Sequence, residues 1–129
     1  MRTREREVAV LVVALTLVAV LSGCYLIDPT PTARFEITNW TQEYYQYSDH
    51  GEYSDYVYVY FKVTNTGTVD IDYYEVWIEV RCADGSTYQD WTNGLNVTRG
   101  GYLTDWTLIN VAGKQAVSVS VTNHELTSY

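Results

Sequence analysis

Cysteine, histidine, proline and basic residues are all scarce in this chain, and each scarcity closes off a class of function. Cys24 and Cys82 are the only two cysteines, so at most one internal bridge could form. That is too few for a disulfide-stapled scaffold. Two histidines, His50 in a polar stretch and His124 near the C-terminus, give no zinc-ligand spacing. No Gly-x-Ser-x-Gly elbow accompanies any Ser–His–Asp set that could be assembled from them, so no enzyme is expected. The acidic groups Asp49/Glu52/Asp55 and Asp70/Asp72 match no EF-hand loop and read as solvated, so neither metal nor cofactor is expected. Eight basic residues stand against sixteen acidic ones, a formal charge of −8. A chain so acidic, with its few cations scattered, is a poor electrostatic match for nucleic acid.

What is present is organised in three parts. Residues 1–23 begin with three arginines, Arg2, Arg4 and Arg6, among Glu5 and Glu7. The segment from Val8 to Leu21 then runs aliphatic, broken only by Thr16. Fourteen residues suit the hydrophobic region of a signal peptide, and a spanning helix needs about 20. The run closes on Leu21-Ser22-Gly23-Cys24, which resembles the lipobox of bacterial lipoproteins. That resemblance implies a signal-peptide helix cleaved before Cys24, with diacylglycerol attached to the Cys24 thiol. Two acyl chains anchor stably without help from the protein surface. The segment after cleavage carries five basic and fourteen acidic residues, or −9, so attachment to an anionic membrane would have to come from the lipid. With Cys24 acylated, Cys82 has no partner and reads as a small buried hydrophobe.

Residues 24–32 form a tether. Pro29 and Pro31, the only prolines, hold it extended and lift the folded domain by about 20–25 Å. Residues 33–129 make one domain of alternating strands. Phe35 and Ile37 oppose Arg34, Glu36 and Thr38. Val57, Val59, Phe61 and Val63 oppose Tyr56, Tyr58, Tyr60 and Lys62. Val76, Ile78, Val80 and Cys82 oppose Glu75, Trp77, Glu79 and Arg81. Val117, Val119 and Val121 oppose Ser118, Ser120 and Thr122. Between the strands stand Asn65-Thr66-Gly67, Asp84-Gly85 and Arg99-Gly100-Gly101, all turn-forming. Short strands are expected at 87–91 and 95–97, and longer ones at 102–109 and 116–122, while 41–54 reads as a long polar loop or an irregular edge. No segment of the domain sustains a helical stripe. Seven or so strands in about 100 residues predict an all-β, immunoglobulin-like β-sandwich.

The run Val59–Asn65 with Gly67, followed by Val76–Gly85, is similar to the FxLYD-type domains of prokaryotic lipoproteins and to wider immunoglobulin-like groups. In those domains a strand ending in Asn-x-Gly precedes a second ending in Asp-Gly. The namesake Phe-x-Leu-Tyr-Asp run is replaced here by Ile78-Glu79-Val80-Arg81-Cys82. The resemblance implies an extracytoplasmic cell-envelope domain and carries no catalytic residue.

Aromatics supply the sharpest functional feature: thirteen tyrosines and four tryptophans. If the valine faces are inward, Tyr56, Tyr58, Tyr60 and Trp77 lie outward as a candidate binding face. Such a face serves a protein partner or self-association; alternatively it stacks on sugar rings as a carbohydrate-binding module. It could equally be covered by the 41–54 segment. Trp40, Trp91 and Trp106 read as core or rim residues.

Overall fold

The computed structural model describes residues 29–46 and 51–129. Cys24, the signal peptide and most of the tether lie outside the described residues. Among those described, eight strands are present: β1 (Ala33–Thr41), β2 (Tyr44–Tyr45), β3 (Glu52–Tyr53), β4 (Tyr56–Asn65), β5 (Ile71–Cys82), β6 (Thr87–Val97), β7 (Tyr102–Asn110) and β8 (Ala116–Thr127). Six of them build two antiparallel sheets, β1-β4-β7 and β6-β5-β8, and β2 pairs with β3 in a small hairpin within the expected loop. The described chain is therefore an all-β sandwich, as the alternation predicts. In the constant-type immunoglobulin arrangement one sheet holds four strands and the other three. Here β6 pairs with β5 instead of β7, and the two described sheets hold six strands in all, three on each side.

Alternation dictates the core. In β4, Val57, Val59, Phe61 and Val63 are fully buried, and in β5 Val76, Ile78 and Val80 face them, with Cys82 buried at the end. Strands of this kind succeed because branched and aromatic side chains pack well on a pleated surface with one dry side. Tyr74 completes the centre. Its ring meets Phe61 nearly edge-on, with centroids 6.4 Å apart, and Phe35 at 5.6 Å. It lies directly across Gly94 of β6, where any Cβ would overlap its ring and hydroxyl. That approach requires glycine at 94, inside one continuous strand where two short ones, 87–91 and 95–97, are expected from the sequence.

Burial pushes the Tyr74 hydroxyl up to about 12, with the Asp105 charge adding to the effect. Because its folded pKa lies above the ordinary 10, its neutral form supports the fold fully below pH 10. That support is lost as pH rises toward 12. Alkaline unfolding should therefore begin as pH climbs past 10. Tyr74→Phe should flatten the profile there, as followed by near-ultraviolet circular dichroism; an unchanged profile would rule out this origin.

Bulges reset the alternation in two strands. In β1 an extra residue, Thr38, lets Trp40 turn inward opposite Val59 and pack against the core. In β8 the register slips at Val117 and at Thr122. Val117 is thereby left exposed, whereas Val119 and Val121 pack against the core; the sequence pattern places all three together. Beyond the second slip β8 continues to Thr127 and brings His124 over Phe35, ring centroids 4.8 Å apart.

Two polar side chains stitch the ends. Asn65 is the one buried polar residue among those described. Its Nδ2 donates to the carbonyls of Val69 (2.8 Å) and Val97 (2.9 Å), and its Oδ1 accepts from the Gly67 amide (3.0 Å). At the opposite end Gln42 Nε2 donates to the carbonyls of Ser54 (2.9 Å) and Lys114 (2.7 Å). Its Oε1 accepts from the Ala116 amide (2.9 Å). Both amides thus replace backbone pairing where the strands run out.

Candidate functional site

Since β4 presents its valines inward, its even-numbered residues must face solvent. The register adds neighbours: Tyr58 pairs with Leu108 of β7, Tyr60 with Trp106, Tyr56 with Asn110 and Thr64 with Tyr102. Directly opposed residues share a face and touch across the ladder. The outer surface of β1-β4-β7 is consequently a row of three tyrosines beside Trp106 and Leu108, with Tyr102 at one end. Tyr56, Tyr58 and Tyr60 are 36–46% exposed and Trp106 is 54% exposed, so the described residues of the 41–54 segment do not cover them. The rings of Tyr58 and Trp106 lie side by side, 6.2 Å apart and inclined by 34°. Lys62 Nζ sits 4.3 Å above the Tyr102 ring, a cation–π contact, and Arg34 pairs with Glu36 at 2.9 Å along the β1 margin.

Trp77 does not join this face. It belongs to β5, in the other sheet, and two sheets that bury facing surfaces turn their outer residues in opposite directions. The four expected residues are therefore divided: three tyrosines on one side of the sandwich and Trp77 on the other. There Trp77 is half-buried and pairs with Trp91 of β6, itself 51% exposed. Trp91 and Trp106 are accordingly surface residues and not the core or rim residues the sequence implies. Their strands explain the difference. Both β6 and β7 are edge strands with large apolar groups on both faces, so alternation alone does not say which side is dry.

Each of these tryptophans follows an aspartate that accepts its amide: Trp106 N–H donates to Asp105 Oδ1 and Trp91 N–H to Asp90 Oδ1, both at 2.8 Å. The side chain thereby occupies a backbone donor on each edge strand.

Other candidate groups are engaged structurally. Asp70 Oδ1 accepts from the Arg99 amide (2.9 Å) and Asp72 Oδ2 from the Tyr129 amide (2.7 Å), fixing a turn and the chain end. Asp84 is held down at about 2 by the Ser86 hydroxyl and amide, with Lys114 at 3.1 Å helping. Among the described residues no three of His, Cys, Asp or Glu gather as metal ligands. His50 and Asp49 lie outside the described residues.

The fold and surface together define an antiparallel β-sandwich with a bare aromatic sheet face. Set against known protein families, curated proteins and solved structures, the chain matches none.

Proposed function

We propose that this protein is a lipid-anchored, extracytoplasmic interaction module: held to a membrane through Cys24, non-catalytic, and binding a protein partner through the aromatic face of β1-β4-β7. The observation that carries the reading is the uncovered row Tyr56, Tyr58 and Tyr60 beside Trp106. Tyrosine and tryptophan offer large contact area with few rotamers to freeze, which is why they concentrate the energy of protein interfaces. The lipobox-like Leu21-Ser22-Gly23-Cys24 after an aliphatic run supports an envelope location. The acidic domain would be repelled by anionic lipid, which leaves the surface distant from the membrane free to meet a partner.

A second reading, a carbohydrate-binding module, is favoured by the side-by-side rings of Tyr58 and Trp106 on one exposed sheet face, which suit the apolar face of a sugar chain.

The two are separated with the full chain in its native membranes. Trp106→Ala and Tyr60→Ala should each weaken crosslinking to protein neighbours by about 2 kcal/mol or more, roughly 30-fold, if they act as interface anchors. Arg99→Ala, exposed in the turn between β6 and β7 and on neither sheet face, should leave it unchanged. Cys24→Ala should release the chain from the membrane fraction. Retention of all crosslinks in the Trp106 and Tyr60 variants, together with binding to insoluble polysaccharide, would favour the glycan reading instead.

A further inference from the structure

The rest of the surface narrows the choice of partner for the aromatic face. Strand addition is obstructed at all four sheet edges. β1 and β8 carry bulges, at Thr38 and at Val117 and Thr122, and bulges twist an edge away from a docking strand. β6 and β7 each have a tryptophan amide already taken by an aspartate. The two outer sheet faces carry no such device.

These faces differ in charge. On β1-β4-β7 the outward ionisable residues are Arg34, Glu36 and Lys62, two positive and one negative, for +1. On β6-β5-β8 they are Glu75, Glu79, Glu125 and Arg81, three negative and one positive, for −2. A domain acidic overall thus has one face with a basic surplus, opposite a face with an acidic surplus. Both bear exposed tryptophan, Trp106 on the first and Trp91 beside Trp77 on the second.

We infer that the occupant of the aromatic face is a second copy of this chain. The β1-β4-β7 face of one copy stacks on the β6-β5-β8 face of the next, with Lys62 and Arg34 set against Glu75 and Glu79. This rests on the interaction-module reading and names its partner. Because the two faces are unlike, the contact is head-to-tail and repeats, giving rows and not closed pairs.

Size determines where the rows form. Three strands about 4.8 Å apart and nine residues long at about 3.3 Å each give a footprint near 400 Å². A stable complex buries roughly 600–1,000 Å² per partner. Face stacking is therefore weak in free solution and is promoted when tethering confines copies to one surface.

The test uses the full lipidated chain in phosphatidylcholine vesicles, with donor- and acceptor-labelled copies mixed and energy transfer measured against surface density. Wild type should exceed the transfer of randomly placed copies. Lys62→Glu and Glu79→Lys should each reduce the excess at least about fivefold, and the double swap in one chain should restore it, as expected for opposed charges across an interface. No excess transfer in wild type, or single swaps without effect, overturns the inference. If the excess is lost in Trp106→Ala but the double swap fails to restore it, the interaction face stands and the proposed arrangement falls. If transfer is random while crosslinks to another protein depend on Trp106, the module binds a different chain. If transfer is random and polysaccharide is bound, both readings fall together.

Discussion

Replacing Asn65 by alanine is expected to destabilise the domain by about 3–4 kcal/mol, because it strands the carbonyls of Val69 and Val97 and the amide of Gly67 together. For a domain of this size that lowers the melting temperature by roughly 15–25 °C. The loss has a chemical signature. Asn65→Asp keeps an acceptor for Gly67 but sets a carboxylate against two carbonyl oxygens, so at neutral pH it should be as damaging as alanine. Protonation restores one donor, and the aspartate variant should recover part of its stability as pH falls, while the alanine variant should not. Thermal melts of both at several pH values check this. Equal pH profiles would mean that Asn65 matters only for the turn and not for the buried carbonyls.

A comparable loss is expected at the centre of the sandwich. Phe61 is fully buried, and its ring stands nearly perpendicular to that of Tyr74 across the two sheets. Truncating it removes an aromatic volume that neighbours held in strands fill poorly. Phe61→Ala should cost about 3–5 kcal/mol, the range for buried phenylalanine. Phe61→Leu should cost well under half as much, since most of the space stays filled. Urea unfolding measures both, with an unchanged slope expected if only stability is altered. A cost below about 1 kcal/mol for Phe61→Ala would show that the sheets close over the gap.

How much of this could be read from the residues depends on how many faces of a strand are dry. β4 and β5 are central, each with one side in the core and one in solvent, and their alternation is legible from Val57 to Val63 and from Val76 to Cys82. The edge strands carry less information. In β7, Leu103 and Leu108 lie on opposite faces and both are exposed, so the residue pattern points Trp106 toward the core when it belongs to the surface. In β8 two inserted residues shift the phase midway, and only the partner strand reveals them. Trp77 illustrates a further limit. Its outward direction is legible, but membership of a particular sheet is not, and that membership separates it from Tyr56, Tyr58 and Tyr60. Gln42 gives no signal at all, because its partners, Ser54, Lys114 and Ala116, are brought together only by the closed sandwich.

The two chain ends have a mechanical consequence. Ala33 opens β1 opposite Asn65, and Thr127 closes β8 opposite Tyr73, so both lie at the end of the sandwich where β4 turns into β5. A force applied between these ends peels β1 and β8 away one ladder rung at a time, the weak direction for a sheet. A force applied between Ala33 and an object held on the tyrosine face meets a different geometry. It runs along β1 and loads the rungs from Ala33–Asn65 to Thr41–Tyr58 together, in shear. A domain strained between Ala33 and an object held on that face is pulled in its stiff direction.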